Sequence, residues 1–247
     1  MTEQPNGQTQ TLAEHLIELR RRLIWTLLVI LAAFLAVIPF AQNVYVFVAQ
    51  PLMASLPKGT GMIATDVVAP FFVPVKVALM AAFLLTLPHT LYQVWAFVAP
   101  ALYRNEKRLV VPLVLSSMLL FVCGMAFAYL LVFPLVFRFL AGITPEGVSM
   151  ATDIDKYLSF VLGMFVAFGA VFEVPVVVLL LHRMGVVPLE RMRAARPYVV
   201  VGAFVVAAVI TPPDVLSQVL MALPMILLYE AGLLCAGWFK PAKSGGG

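Results

Sequence analysis

Two carboxylates, Glu18 and Glu106, stand among bases beside long apolar runs. The first lies in His15-Leu16-Ile17-Glu18-Leu19-Arg20-Arg21-Arg22 and the second in Tyr103-Arg104-Asn105-Glu106-Lys107-Arg108-Leu109. The flanking bases repel an ordinary cation, so a cationic partner needs strong and shaped donors to compete. A guanidinium has that planar fork and an ammonium does not, so the chemistry pointed to is recognition of arginine. Each acid also has a purely structural reading. With Asn105 as N-cap, Glu106 opens a helix whose dipole favours a carboxylate by ~0.3–1 kcal/mol. Glu18 is spaced i,i+4 from Arg22, a pair worth about 0.2–0.5 kcal/mol.

A third acid, Glu173 in Phe172-Glu173-Val174-Pro175, interrupts an apolar run, and Gln93 is a polar group in another. A charged acid facing lipid at that depth is costly, so Glu173 must face the protein interior or water, or be protonated, and it marks a candidate functional position. Gln218 and Asp214 are weaker signals of the same kind. None of the motifs HExxH, GxSxG, Walker or Rossmann is present, and His15, His89 and His182 lie in separate segments. Cys123 and Cys235 are single residues in apolar runs and read as packing. No enzyme, metal or cofactor chemistry is expected.

The scaffold for these groups is a membrane protein. Hydrophobic residues make up 63% of the 247, charged residues 11%, and mean hydropathy is +1.03, whereas soluble domains carry about a quarter charged residues. The hydropathy pattern predicts one all-α, six-span membrane domain over residues 1–247. An amphipathic cytoplasmic segment covers 1–22, and spans follow at 23–41, 77–100, 109–137, 157–181, 197–210 and 215–238, with a tail at 239–247. Pro51, Pro57, Gly59 and Gly61 mark 42–69 as a connection, whose apolar piece Val44–Val48 is too short to cross and is expected on or dipping into the surface. The fifth span is short, 14 residues or about 21 Å of helix. Thr211-Pro212-Pro213-Asp214 makes a tight turn into the sixth.

Placing both termini in the cytoplasm puts Arg20, Arg21, Arg22, Arg104, Lys107, Arg108, Arg183, Arg191, Arg193, Arg196, Lys240 and Lys243 inside, which is 12 of the 16 Lys and Arg. Only Lys58, Lys76, Arg138 and Lys156 fall elsewhere. That asymmetry sets the orientation and brings Glu18 and Glu106 to the same, inner, face. It also accounts for the net charge of +4 without nucleic acid.

Five segments in this order resemble the TatC family, the polytopic subunit of the twin-arginine protein translocase. They are His15 to Leu23, Phe97-Val98-Ala99-Pro100-Ala101-Leu102-Tyr103 with Glu106, Phe172 to Pro175, Arg196-Pro197-Tyr198, and Thr211 to Asp214. The resemblance covers all but the first residues and the tail. It implies a concave six-helix shell in the bacterial inner membrane, with short fifth and sixth spans and Glu173 inside the concavity. It further implies a receptor for signal peptides that carry paired arginines on folded cargo. Glu18 and Glu106 are then the arginine-binding acids, with Arg20, Phe97, Leu102 and Arg104 on the same surface. TatA and TatB are implied as single-span partners near Thr211, Asp214 and Gln218, with self-association in the receptor complex and the protonmotive force as the energy source. The competing reading is a secondary transporter with an intramembrane carboxylate, which would show internal repeats; none is visible between the halves. A purely structural anchor is the other rival.

Overall fold

The structure, a computed structural model, describes residues 12–53, 62–98, 110–142, 152–210 and 215–238. The helices are α1 (Leu12–Val37), α2 (Ala41–Met53), α3 (Ala69–Leu85), α4 (Leu87–Val98), α5 (Val110–Phe127), α6 (Phe133–Gly142), α7 (Ile154–Phe172), α8 (Val174–Arg183), α9 (Leu189–Ala194), α10 (Arg196–Ile210) and α11 (Val215–Trp238). The only extended pairing among the described residues is a single parallel bridge between Ile63 and Asp153.

Among the described residues, four helical stretches are long and apolar enough to cross a bilayer: Glu14–Gln50, Val110–Phe139, Ile154–Arg183 and Gln218–Trp238. The bent pair α3 and α4 makes a fifth, and the shorter apolar α10 stands where the short span is expected. In hydrocarbon every backbone donor and acceptor needs an internal partner, which each of these runs supplies within its own helix.

The helix boundaries depart from the hydropathy reading where proline intervenes. Pro39 sits at the start of a 3-10 turn, Ile38–Phe40, where its fixed φ is compatible with helical backbone. The first helix therefore runs on into α2. Residues 41–53, expected as a surface connection, are helical and bury Ala41, Val48 and Ala49. The amphipathic segment and first span likewise form one helix, α1, with Leu16 and Leu23 facing outward.

The second span begins at Ala69 rather than Val77 and turns by 63° between α3 and α4. Pro88 cannot donate to the Leu84 carbonyl, and at the bend the Thr86 hydroxyl donates to the carbonyls of the preceding turn, Ala82 at 2.9 Å and Phe83 at 3.1 Å. In the third span, Pro134 follows a π turn at Ala128–Val132, where the Phe133 amide reaches back five residues to the Ala128 carbonyl. In the fourth, Glu173 and Pro175 separate α7 from α8. The fifth helix, α10, has 15 residues, about 22 Å, whereas α11 is 24 residues long and passes through Pro224.

The core gathers on α7, where Leu158, Val161, Met164 and Phe168 are fully buried against Val77 of α3, Phe133 and Val136 of α6 and Met221 of α11. Close helix approach requires glycine at several points, two of them between the third and fourth spans. A Cβ on Gly124 would stand 2.4 Å from the Phe168 carbonyl oxygen, and one on Gly169 would stand 2.4 Å from the Phe121 ring. Small residues at a crossing let backbones approach, the main packing device where lipid is as apolar as the side chains.

At the outer ends, Asp153 joins two loops. Its carboxylate caps α7 through the amides of Asp155 at 3.0 Å and Lys156 at 2.9 Å, and it accepts from the amide and the hydroxyl of Thr65. The Ile63 amide donates to the Thr152 carbonyl and the Ile154 amide to that of Ile63. Lys76 on α3 reaches Asp155 at 2.6 Å.

Two measurements check this packing. Gly124→Val forces side-chain bulk against backbone, and overpacking of this kind costs about 1–3 kcal/mol; the melting temperature in detergent should fall. Gly163→Val, at a position with no atom within 4 Å of a built Cβ, should leave it unchanged. The hydrogen bonds to Asp153, first the Thr65 hydroxyl and then the backbone amides, hold its carboxyl down at about 2, below the ordinary 3.8. A depressed carboxyl contributes stability above the unfolded value and loses it as pH falls toward the folded one. The stability difference between wild type and Asp153→Asn should therefore be level above pH ~4 and shrink between ~4 and ~2.

Candidate functional site

At the inner end of α1, Glu18 and Arg22 form the i,i+4 pair that their spacing allows. Arg22 Nη2 and Nε donate to Glu18 Oε1 at 2.6 and 2.9 Å. Both bonds go to the same oxygen, so Oε2 has no hydrogen-bond partner among the described residues. Arg22 also reaches across to α4, where its Nη1 donates to Gln93 Oε1 at 2.9 Å. One turn further along each helix, the rings of His15 and Phe97 stack with centroids 4.3 Å apart. The inner ends of α1 and α4 are thus joined by a charged tether and an aromatic contact, with the Glu18 carboxylate about a quarter exposed.

This arrangement assigns the candidate residues unequally. Glu18 and Phe97 come together on the α1/α4 edge, and Arg20 is an exposed residue of α1. Gln93, expected as an intramembrane polar group, is committed to Arg22 and lies 3.5 Å from His89 Nε2. Glu106, Leu102 and Arg104 lie outside the described residues, as do Thr211 and Asp214. Gln218 is described, and its amide donates to the Phe204 carbonyl at 3.1 Å, linking α11 to α10.

Glu173 occupies the break between α7 and α8 and is 8% exposed, with neither carboxylate oxygen hydrogen-bonded. Its polar neighbour is Ser117 of α5. The Ser117 hydroxyl, fully buried, accepts from the Trp95 indole at 2.9 Å. The Trp95–Ser117 bond thus places a polar pair of α4 and α5 beside the break in the fourth span. A buried carboxyl without partners costs free energy wherever it is placed, and its position requires a reason other than stability. Arg22, His15, Trp95 and Ser117 were not among the sequence candidates. Ser116 and Ser117 are a polar interruption of α5, and that was the available signal.

Among the described residues no cluster of three or more His, Cys, Asp or Glu is placed to hold a metal ion. The inner-face site offers a carboxylate with one open oxygen, a guanidinium already bound beside it, and an aromatic face. It can exchange one guanidinium for another, or take a second on Oε2.

Residues 14–224 match the family model "Sec-independent protein translocase protein (TatC)". The protein of that name from Escherichia coli strain K12 is 54% identical over 231 residues, covering 94% of this chain and 90% of the relative. The one from Azotobacter chroococcum mcd 1 is 51% identical, covering 100% of this chain and 98% of its own. A crystal structure of the twin arginine translocase receptor TatC superposes with a TM-score of 0.80 at 40% identity, covering 91% of this chain and 99% of that one. Fold and relatives together define a multi-pass subunit of a protein translocase in the bacterial inner membrane. The chain belongs to the TatC family.

The α1/α4 tether is open to test. Gln93→Leu removes one of the acceptors of Arg22, a charge-assisted bond discounted for partial exposure to about 1 kcal/mol. Hydrogen exchange at the α1 amides near residues 15–22 should rise roughly fivefold, while exchange in α7 stays unchanged.

Proposed function

We propose that this chain is the receptor for signal peptides bearing two consecutive arginines on folded cargo. Glu18 and Glu106 take the guanidinium pair, and Arg20, Phe97, Leu102 and Arg104 complete the surface. The observation that carries the reading is the half-open carboxylate of Glu18. It is held in place by Arg22 and Gln93 at the inner end of α4, from which the chain enters the segment containing Glu106. A charge-assisted bond from guanidinium to carboxylate is worth ~1.5–3 kcal/mol where water is partly excluded. Two such bonds give affinity, and the guanidinium fork gives selection against lysine.

The partners proposed are the single-span subunits TatA and TatB, docking along α10 and α11 near Thr211, Asp214 and Gln218, together with further copies of this chain. The protonmotive force drives the transport step, and the chain performs no catalysis of its own. The short α10 supports local thinning of the bilayer beside it, since a helix of about 22 Å is shorter than a hydrocarbon core of ~30 Å.

The test is binding of a labelled signal peptide carrying Arg-Arg or Lys-Lys to the wild type and to the Glu18→Ala/Glu106→Ala variant. Wild type should prefer Arg-Arg by at least roughly tenfold, the equivalent of about 1.4 kcal/mol, and the variant should lose the preference. Equal binding in all four combinations refutes the receptor reading.

A further inference from the structure

Arg138 lies on α6 near the outer end of the third span, one of only four bases outside the inner segments. It is exposed and has no ion pair or hydrogen bond among the described residues. The described acids at that end are engaged elsewhere: Asp155 with Lys76, Asp153 with Thr65, and Asp66 with the Val68 amide. Arg138 is therefore a cation at the outer boundary for which the described chain provides no anion.

Beneath it runs an apolar groove of about 310 Å³. Its walls are Phe127, Leu131, Val132, Pro134 and Leu135 of the third span, with Leu220 of α11 opposite and Arg138 at the rim. The π turn at Ala128–Val132 lies in this wall, so the groove forms where the helix register changes ahead of Pro134. An apolar groove with a guanidinium at its rim matches the chemistry of an acyl chain that ends in an anionic headgroup.

We infer that this groove is a binding site for an anionic phospholipid of the outer leaflet, with an acyl chain along Leu131 and Leu135 and the phosphate on Arg138. Phosphate accepts from a guanidinium through two parallel bonds, and the planar fork lies at the depth where the headgroup begins. Inner-face bases attract anionic lipid diffusely as a surface potential. This site joins one cation to one shaped apolar groove, so it distinguishes headgroup charge at a single place.

The experiment reports on the groove itself. Leu130, 67% exposed on the groove's edge, is changed to Trp, and the protein is placed in vesicles of phosphatidylcholine with acyl-brominated phosphatidylglycerol or acyl-brominated phosphatidylcholine. The fluorescence of the parent protein is subtracted to remove Trp25, Trp95 and Trp238. Brominated phosphatidylglycerol should be about fivefold enriched at the probe over phosphatidylcholine. Arg138→Gln should abolish the enrichment and Arg138→Lys should keep most of it, with melting in detergent unchanged for both. Equal quenching by the two lipids overturns the inference, as does enrichment that survives Arg138→Gln. A probe shielded from both lipids also overturns it, because a protein surface then fills the groove.

Discussion

Proline in a medium without water is the constraint from which this architecture follows. Inside hydrocarbon a missing backbone donor has no solvent to replace it. Pro88, Pro134 and Pro175 each lie two residues beyond a break in a span, at Thr86, at the end of the π turn, and at Glu173. The bonding at the break differs each time: a threonine hydroxyl donating to carbonyls of the preceding turn, a bond that reaches back five residues, and a turn in which the Glu173 amide returns to the Ala170 carbonyl. These breaks redirect the helices, and the helices carry the functional groups with them. The bend at Thr86 aims α4 so that Gln93 and Phe97 meet α1; the break at 173 sets a carboxyl between two helices instead of on either one's side.

The same solvent explains which parts of the fold were legible in the sequence. The ends of α10 and α11 lie close to the expected 197–210 and 215–238, and α11 does so with Pro224 inside it. Residues 42–53 read as a connection because Pro51, Pro57, Gly59 and Gly61 mark the segment and its apolar piece is too short to cross. In place, Pro39 starts a turn and the apolar residues pack on α3. Bends were not legible, since a proline marks where a donor is lost but not how the loss is met. Gly124 and Gly169 needed the coordinates too, because neither lies in a turn and their meaning comes from a neighbouring helix.

The candidate site was legible in part. Spacing was enough for the bond between Glu18 and Arg22. It could not show that Arg22 also binds Gln93, 71 positions away, and that bond turns a local pair into a tether between two helices. Glu173 was conspicuous as an acid in an apolar run, while its neighbours Ser117 and Trp95 were not, being common residues that gain meaning from burial. The tether suggests how specificity arises. Arg22 fixes the position of Glu18, and on the proposed reading an incoming guanidinium meets a preorganised acceptor and a neighbouring positive charge at once. A strongly hydrated ammonium gains less from the first and suffers the same repulsion from the second.

The central claim is contact between Glu18 and an arginine of the bound peptide. Solid-state NMR on the protein in bilayers, with carboxyl-13C glutamate and a peptide carrying 15N-guanidinium arginines, measures it directly. Bonds of ~2.8 Å between nitrogen and oxygen place the carbon and nitrogen about 4 Å apart. The account predicts dephasing at that distance that is strongly reduced in Glu18→Gln; dephasing that is absent, or that is the same in Glu18→Gln, contradicts it.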